Sequence, residues 1–160
     1  MKDNKILNNF EKYIIKKKKY FNKLFDLSKQ QRNYIDDKEL EKVNDIFEKK
    51  DKIIEKIEKI DSDNFNLIED IKEKYNLSKK NWLNELKIKE ETSDNINSKI
   101  IDLINILKKY SKSENINQQL MEELHNNMGK ELGKINKGIR TNKFYNKKDR
   151  IYSTFIDKKS

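Results

Sequence analysis

"IDDKELEKV", residues 35–43, separates two long runs of helical spacing and decides how the chain folds. Asp36 stands where it would cap a following helix, with Glu39 three residues later in capping-box position, and acids favour the positive end of a helix. Upstream, Ile6, Phe10, Tyr13, Tyr20, Leu24, Leu27 and Tyr34 recur at intervals of three and four, Lys17 and Gln31 filling the two missing steps. Leu7, Ile14, Phe21 and Ile35 widen that stripe, as a helix packed against two neighbours requires. This spacing predicts a first helix over residues 4–35. Downstream, Ile46, Ile53, Ile60 and Leu67 recur every seven residues beside Leu40, Val43, Phe47, Ile54, Ile57, Ile68 and Ile71, predicting a second helix to about Tyr75. Two helices of this length joined by about four residues imply an antiparallel hairpin.

Charge supports the pairing. Residues 1–35 carry a net +7 and residues 36–75 a net −5, so neighbouring helices attract. Each exposed ion pair is worth only about 0–1 kcal/mol, however, and burial of the isoleucine seam must dominate.

Residues 76–92, "NLSKKNWLNELKIKEET", suggest a short helix capped by Ser78 that presents Trp82, Leu83 and Leu86 as a lid or angled connector. Trp82 at helical spacing reads as core rather than as a binding anchor. A third long helix is expected from near Ser93, with Ile96, Ile100, Leu103, Leu107, Tyr110, Asn117, Met121, Leu124, Met128, Leu132 and Ile135 on its stripe. Its polar middle, "SKSENINQQ" at 111–119, predicts a bend or fraying. Gly129, Gly133 and Gly138 then loosen the helix, each glycine costing about 1 kcal/mol of helix stability. The fold class is all-α: an elongated antiparallel hairpin or coiled coil, a third long helix and a flexible C-terminal tail. Residues 1–137 form the helical unit and 138–160 the tail.

Composition narrows the function. The 160 residues contain no cysteine, so thiol catalysis, thiolate metal sites and disulfides are excluded. His125 is the single histidine and reads as an exposed bystander. No P-loop and no GxGxxG occurs, and the acidic pairs lie among lysines as solvated helix faces do. The expectation is a binding or structural protein without catalytic residues, metal or cofactor. Lys, Asn and Ile, whose codons are AT-rich, account for 77 residues, and arginine appears only at 32, 140 and 150. The net charge of +9 therefore reflects composition more than a nucleic-acid partner. No segment approaches the ~20 apolar residues of a membrane span, and "MKDNKILNNF" lacks a signal-peptide apolar region, so a soluble cytoplasmic protein without stable membrane insertion is expected.

The tail is different in kind. "TNKFYNKKDRIYSTFIDKKS", residues 141–160, sets aromatics and isoleucines among lysines with no helical stripe. Ordering the whole tail, residues 138–160, costs ~1–2 kcal/mol for every residue in backbone entropy. Burial returns ~1.5–3 kcal/mol for each of seven apolar side chains only: Ile139, Phe144, Tyr145, Ile151, Tyr152, Phe155 and Ile156. Such a segment orders on a partner; the alternative is that "IYSTFI" at 151–156 docks between the chain's own helices.

Two stretches carry a likeness to a family. "DKELEKVNDIFEKKDKIIEKIEKID" at 37–61 and "INKGIRTNKFYNKKDRIYSTFIDKKS" at 135–160 resemble the second helix and the tail of FlgN-type flagellar export chaperones, with the FliT type as the near alternative. The resemblance implies a cytoplasmic chaperone that holds the hook–filament junction proteins FlgK and FlgL, prevents their early assembly and delivers them to the export gate protein FlhA. It also implies that the seven apolar tail residues are the client contacts. Rival readings are a structural coiled-coil adaptor, possible as a homodimer, and a basic nucleic-acid-binding helical protein.

Overall fold

The computed structural model describes residues 2–87 and 94–128. Its elements are α1 (Lys2–Asp36), α2 (Leu40–Asp63), α3 (Phe65–Lys74), α4 (Trp82–Lys87) and α5 (Asp94–Met128). The described chain is all-helical. α1 is the central element and packs against both α2 and α5. Tyr13 and Lys17 reach Asp61, while Gln31 meets Lys50, so α1 and α2 run antiparallel. Glu11 meets Lys99, Lys18 meets Asp102 and Arg32 meets Asn117, so α1 and α5 run parallel. The result is an up-down-up bundle of three long helices.

The expected hairpin is present, but its turn is made differently. Asp36 ends α1 instead of capping α2, and the Glu39 side chain makes no cap hydrogen bond. The chain reverses through a C-terminal Schellman motif. Lys38 N–H donates to Ile35 O at 3.0 Å and Glu39 N–H to Tyr34 O at 2.9 Å, with Lys38 in the left-handed region at φ 60°. The end of α3 repeats the device around Asn76 at φ 53°, where Leu77 N–H reaches Lys72 O. Backbone donors thus close both turns without glycine.

The expected second helix is divided at Asn64, whose Nδ2 donates to Ile60 O at 2.8 Å. An Asn side chain bonding back four residues competes with the helical ladder. α4 is the expected short connector. Ser78 Oγ accepts from Asn81 N–H at 3.2 Å, and Trp82, Leu83 and Leu86 are buried. The Trp82 ring meets Phe10 edge-on at 6.0 Å and closes that end of the bundle. α5 continues through 111–119 without interruption, so the expected bend or fraying is absent. Leu132, Ile135 and all three glycines lie outside the described residues.

The core is a heptad seam with polar steps. On α1 the innermost positions are Phe10, Ile14, Lys17, Phe21, Leu24, Ser28, Gln31 and Ile35. They alternate by four and three, so Phe21, Ser28 and Ile35 replace the expected Tyr20, Leu27 and Tyr34. On α2 and α3 the same alternation runs Val43, Phe47, Lys50, Ile54, Ile57, Asp61, Asn64, Ile68, Ile71 and Tyr75, with Asp61 and Asn64 half-buried. Lys17 is fully buried and donates to Asp61 Oδ1 at 2.7 Å, an atom that also accepts from the Tyr13 hydroxyl at 2.6 Å. Burial pushes the Lys17 ammonium down to about 7 against the pull of Asp61. Burial, helped by Asp61, also raises the Tyr13 hydroxyl well above its usual range.

Two predictions follow from the turn and from this cluster. Lys38→Gly removes left-handed strain worth ~1–2 kcal/mol and returns part of it as glycine entropy. A net gain of about 0.5–1 kcal/mol should appear as a higher urea midpoint at unchanged slope; a lower midpoint contradicts the assignment. Between pH 7 and 10 the unfolded chain keeps the Lys17 proton that the folded chain has released. Stability relative to Lys17→Met should therefore rise across that window, since it increases with pH wherever the unfolded state binds more protons. Above pH 10 the stability of the chain itself falls with pH, because folded Tyr13 holds a proton that the unfolded chain loses. Denaturant midpoints measured from pH 6 to 11 check both limbs.

Candidate functional site

The seven residues expected to contact a client, Ile139, Phe144, Tyr145, Ile151, Tyr152, Phe155 and Ile156, lie outside the described residues. The structure does describe α5, which precedes that segment in sequence, and how α5 is fastened. α5 buries Ile96, Ile100, Leu103, Leu107 and Tyr110 along its first half. The Tyr110 ring meets Phe21 edge-on at 5.9 Å. In its second half the seam positions become Ser113, Glu114 and Asn117, all buried.

These three groups are gripped by all three long helices at one level. Lys50 of α2, fully buried, donates to Glu114 Oε1 and to Gln31 Oε1 of α1. Asn117 Nδ2 donates to Ser28 O at 2.8 Å and Ser28 Oγ at 3.0 Å, while its Oδ1 accepts from Arg32 Nε at 3.1 Å. Arg32 Nη2 also donates to Ser113 Oγ at 2.9 Å, and the hydroxyls of Ser28 and Ser113 share a hydrogen bond of 2.6 Å. The Lys50 ammonium lies between the rings of Phe47 and Tyr110, 6.0 and 5.9 Å from their centres. Past this layer Leu124 is buried and His125 exposed.

Among the described residues no group of three or more His, Asp or Glu side chains converges to hold a metal ion. The ionisable groups that are buried are spent on one another across helix interfaces. What the arrangement does is hold a helix in one register. An isolated buried ion costs several kcal/mol, so the Lys50–Glu114 pair is tolerated only where both partners and their hydrogen bonds are in place. Spacing alone gave Lys17, Gln31 and Asn117 a place on their stripes but missed Ser28, Lys50, Asp61, Ser113 and Glu114. The available signal was the four-three alternation running on through polar residues.

Lys50→Ala leaves Glu114 buried without its ammonium and should cost about 3–5 kcal/mol of stability. Combining Lys50→Met with Glu114→Leu should recover that loss or more. Chemical denaturation of both single variants and the pair checks it: additive losses would show that the two groups do not act together.

The FlgN protein family matches residues 1–151, from the start of α1 into the C-terminal segment. No curated protein sequence and no solved structure gives a significant match. No helix among the described residues is long and apolar enough to cross a membrane. The family match extends over the hairpin, α5 and the C-terminal segment as far as Ile151: the chain belongs to the FlgN family, the cytoplasmic, non-enzymatic flagellar export chaperones of the hook-associated proteins FlgK and FlgL.

Proposed function

We propose that residues 138–160 form the client-binding unit of this chaperone, separate from the helical unit at 1–137, and that they gain order by gripping FlgK or FlgL. The observation that carries this reading is the composition of the segment. Seven apolar side chains are spread over 23 residues with nine lysines, arginines and acids among them, too sparse to offset ~1–2 kcal/mol of backbone entropy for each residue. Contact with a client supplies the missing apolar surface. The buried polar layer supports the reading from the other side, because it holds α5, which precedes the segment in sequence, in one register.

A segment that folds only on its client binds with modest affinity per unit of area. Release to the export apparatus, with the gate protein FlhA as the receiving component, then needs no nucleotide. We place the client contacts at Ile139, Phe144, Tyr145, Ile151, Tyr152, Phe155 and Ile156. A homodimer built on the hairpin is the competing use of the same helices, and it would ignore the tail.

Removing residues 138–160 should abolish capture of purified FlgK and FlgL while leaving the helical circular-dichroism signal nearly intact. Tyr152→Ala combined with Phe155→Ala should weaken binding at least tenfold. Undiminished capture by the truncated chain would overturn the assignment. Sedimentation of a stable dimer indifferent to the truncation would favour the adaptor instead.

A further inference from the structure

The solvent side of α2 carries a row of acids. Stepping by three and four from Glu41, the positions are Glu41, Asn44, Glu48, Asp51, Glu55, Glu58 and Ser62, and the next step reaches Phe65 of α3. None of them is buried, and none is a lysine or arginine. Such stepping keeps a set on one side of its helix. The residues that meet α1 lie on the other side: Lys50 reaches Gln31, Asp61 reaches Lys17 and Tyr13, and Ile46, Ile57 and Ile60 are buried. The exposed lysines of α2, Lys42, Lys49, Lys52, Lys56 and Lys59, stand on one neighbouring flank, outside the row. Phe65, 60% exposed, is the most exposed large apolar side chain among the described residues.

The solvent side of α1 has the opposite sign. Lys5, Asn9, Lys12, Lys16, Lys19 and Lys23 follow one another by the same steps, all exposed and with no acid in the set. Two of the three long helices thus present rows of opposite charge to solvent. A cationic segment near the bundle is repelled by the first row and attracted to the second.

The chain supplies such a segment itself. Residues 129–160 carry ten cationic side chains against three acidic ones, and they follow Met128 at the end of the bundle where α2 begins. The Ser28–Ser113 and Arg32–Asn117 contacts fix α5 beside α1 and carry its last residue about seven positions, ~10 Å, past the end of α1. From there residues 129–137 span up to ~30 Å when extended, enough to turn back to Glu41. The row from Glu41 to Phe65 is ~36 Å long, and residues 138–160 span up to ~75 Å.

We infer that the acidic row of α2 is the resting place of the chain's own C-terminal segment, held there by charge and given up when a client arrives. Tethering puts the segment at an effective concentration in the millimolar range, so exposed pairs of about 0–1 kcal/mol each suffice for contact. They do not offset the ~1–2 kcal/mol per residue that a single conformation costs. The contact is therefore diffuse and sensitive to salt. Phe65 adds an aromatic face for a lysine or arginine at the far end of the row. Only the exchange rests on the client contacts proposed above. Arg140, Lys143, Lys147 and Arg150 are interleaved with Phe144, Tyr145 and Ile151, so a client that grips these side chains draws the cations off α2.

The test uses the full chain, which has no cysteine of its own, so Ser62→Cys takes a single nitroxide label on the row. At ~0.05 M salt the amide signals of residues 138–160 should lose about half their intensity to the label, and at ~0.5 M they should recover it. Glu48→Gln, Asp51→Asn and Glu55→Gln together should restore the signals at low salt. Asp45→Asn, Asp63→Asn and Asp70→Asn, an equal change of charge at exposed positions off the row, should not. Signals untouched by the label at low salt would overturn the inference, as would equal recovery in the two triple variants or a loss that persists at high salt. Spin-labelled chain mixed with isotope-labelled chain separates the occupants: signal lost between molecules would assign the row to a second copy, against the inference. The row variant should also capture FlgK or FlgL about twofold more tightly. If the nitroxide contact is seen and capture is unchanged, the docking stands and the failure belongs to the proposed client contacts.

Discussion

Lys50 and Glu114 meet in the core of the bundle with neither side chain exposed, and the placement of α5 depends on that meeting. Apolar burial alone drives three amphipathic helices together but is tolerant of sliding, because one leucine or isoleucine layer resembles the next. Shifting α5 by a single turn moves Glu114 about 5.4 Å along the axis. Lys50 would then be buried at the level of Tyr110 or Asn117 with no carboxylate, at a cost of several kcal/mol. The amide of Asn117 and the hydroxyls of Ser28 and Ser113 extend the same constraint to α1, because their hydrogen bonds close only at this register. Burial supplies the affinity between helices, and the polar layer chooses among their alignments.

That division explains what could be read in advance. Helices α1, α2 and α5 were legible because apolar residues recur at three and four over long stretches, and the hairpin followed from the short break at 36–39. The turn chemistry was not, since it rests on backbone donors around Lys38 and Asn76, where neither residue is the expected glycine. The polar stretch 111–119 read as a weakness because Ser113, Glu114 and Asn117 lose hydration on burial. Their compensation comes from Ser28, Arg32 and Lys50, 64 to 89 residues away in sequence, and no local pattern announces such partners. Asn64 divides the second helix for a similarly small reason, a side chain bonding its own i−4 carbonyl. The residues expected to hold a client were chosen by composition, and composition speaks to their inability to fold alone rather than to any geometry.

The seven-residue repeats had two meanings, and only the structure separates them. Ile46, Ile53 and Ile60 looked like the seam of α2; Ile46 and Ile60 are indeed buried, but Phe47, Lys50, Ile54 and Ile57 are buried beside them, and Lys50 of this second set meets Glu114 of α5. A stripe wider than one seam is what a helix with two neighbours shows. α1 has two neighbours, α2 and α5, and α2 shares its second flank with α1 beside Tyr20, Leu27 and Tyr34.

The same lysine decides what the α5 position accepts. Lys50 sits in the seam and demands a carboxylate at one level of whichever helix packs there. A helix with leucine at that level would leave the ammonium buried without a carboxylate, at a cost of several kcal/mol. α5 meets the demand with Glu114, and Ser113 and Asn117 beside it meet Ser28 and Arg32 of α1, so the face that α5 covers is matched to this chain's own third helix rather than to any helix with an apolar stripe.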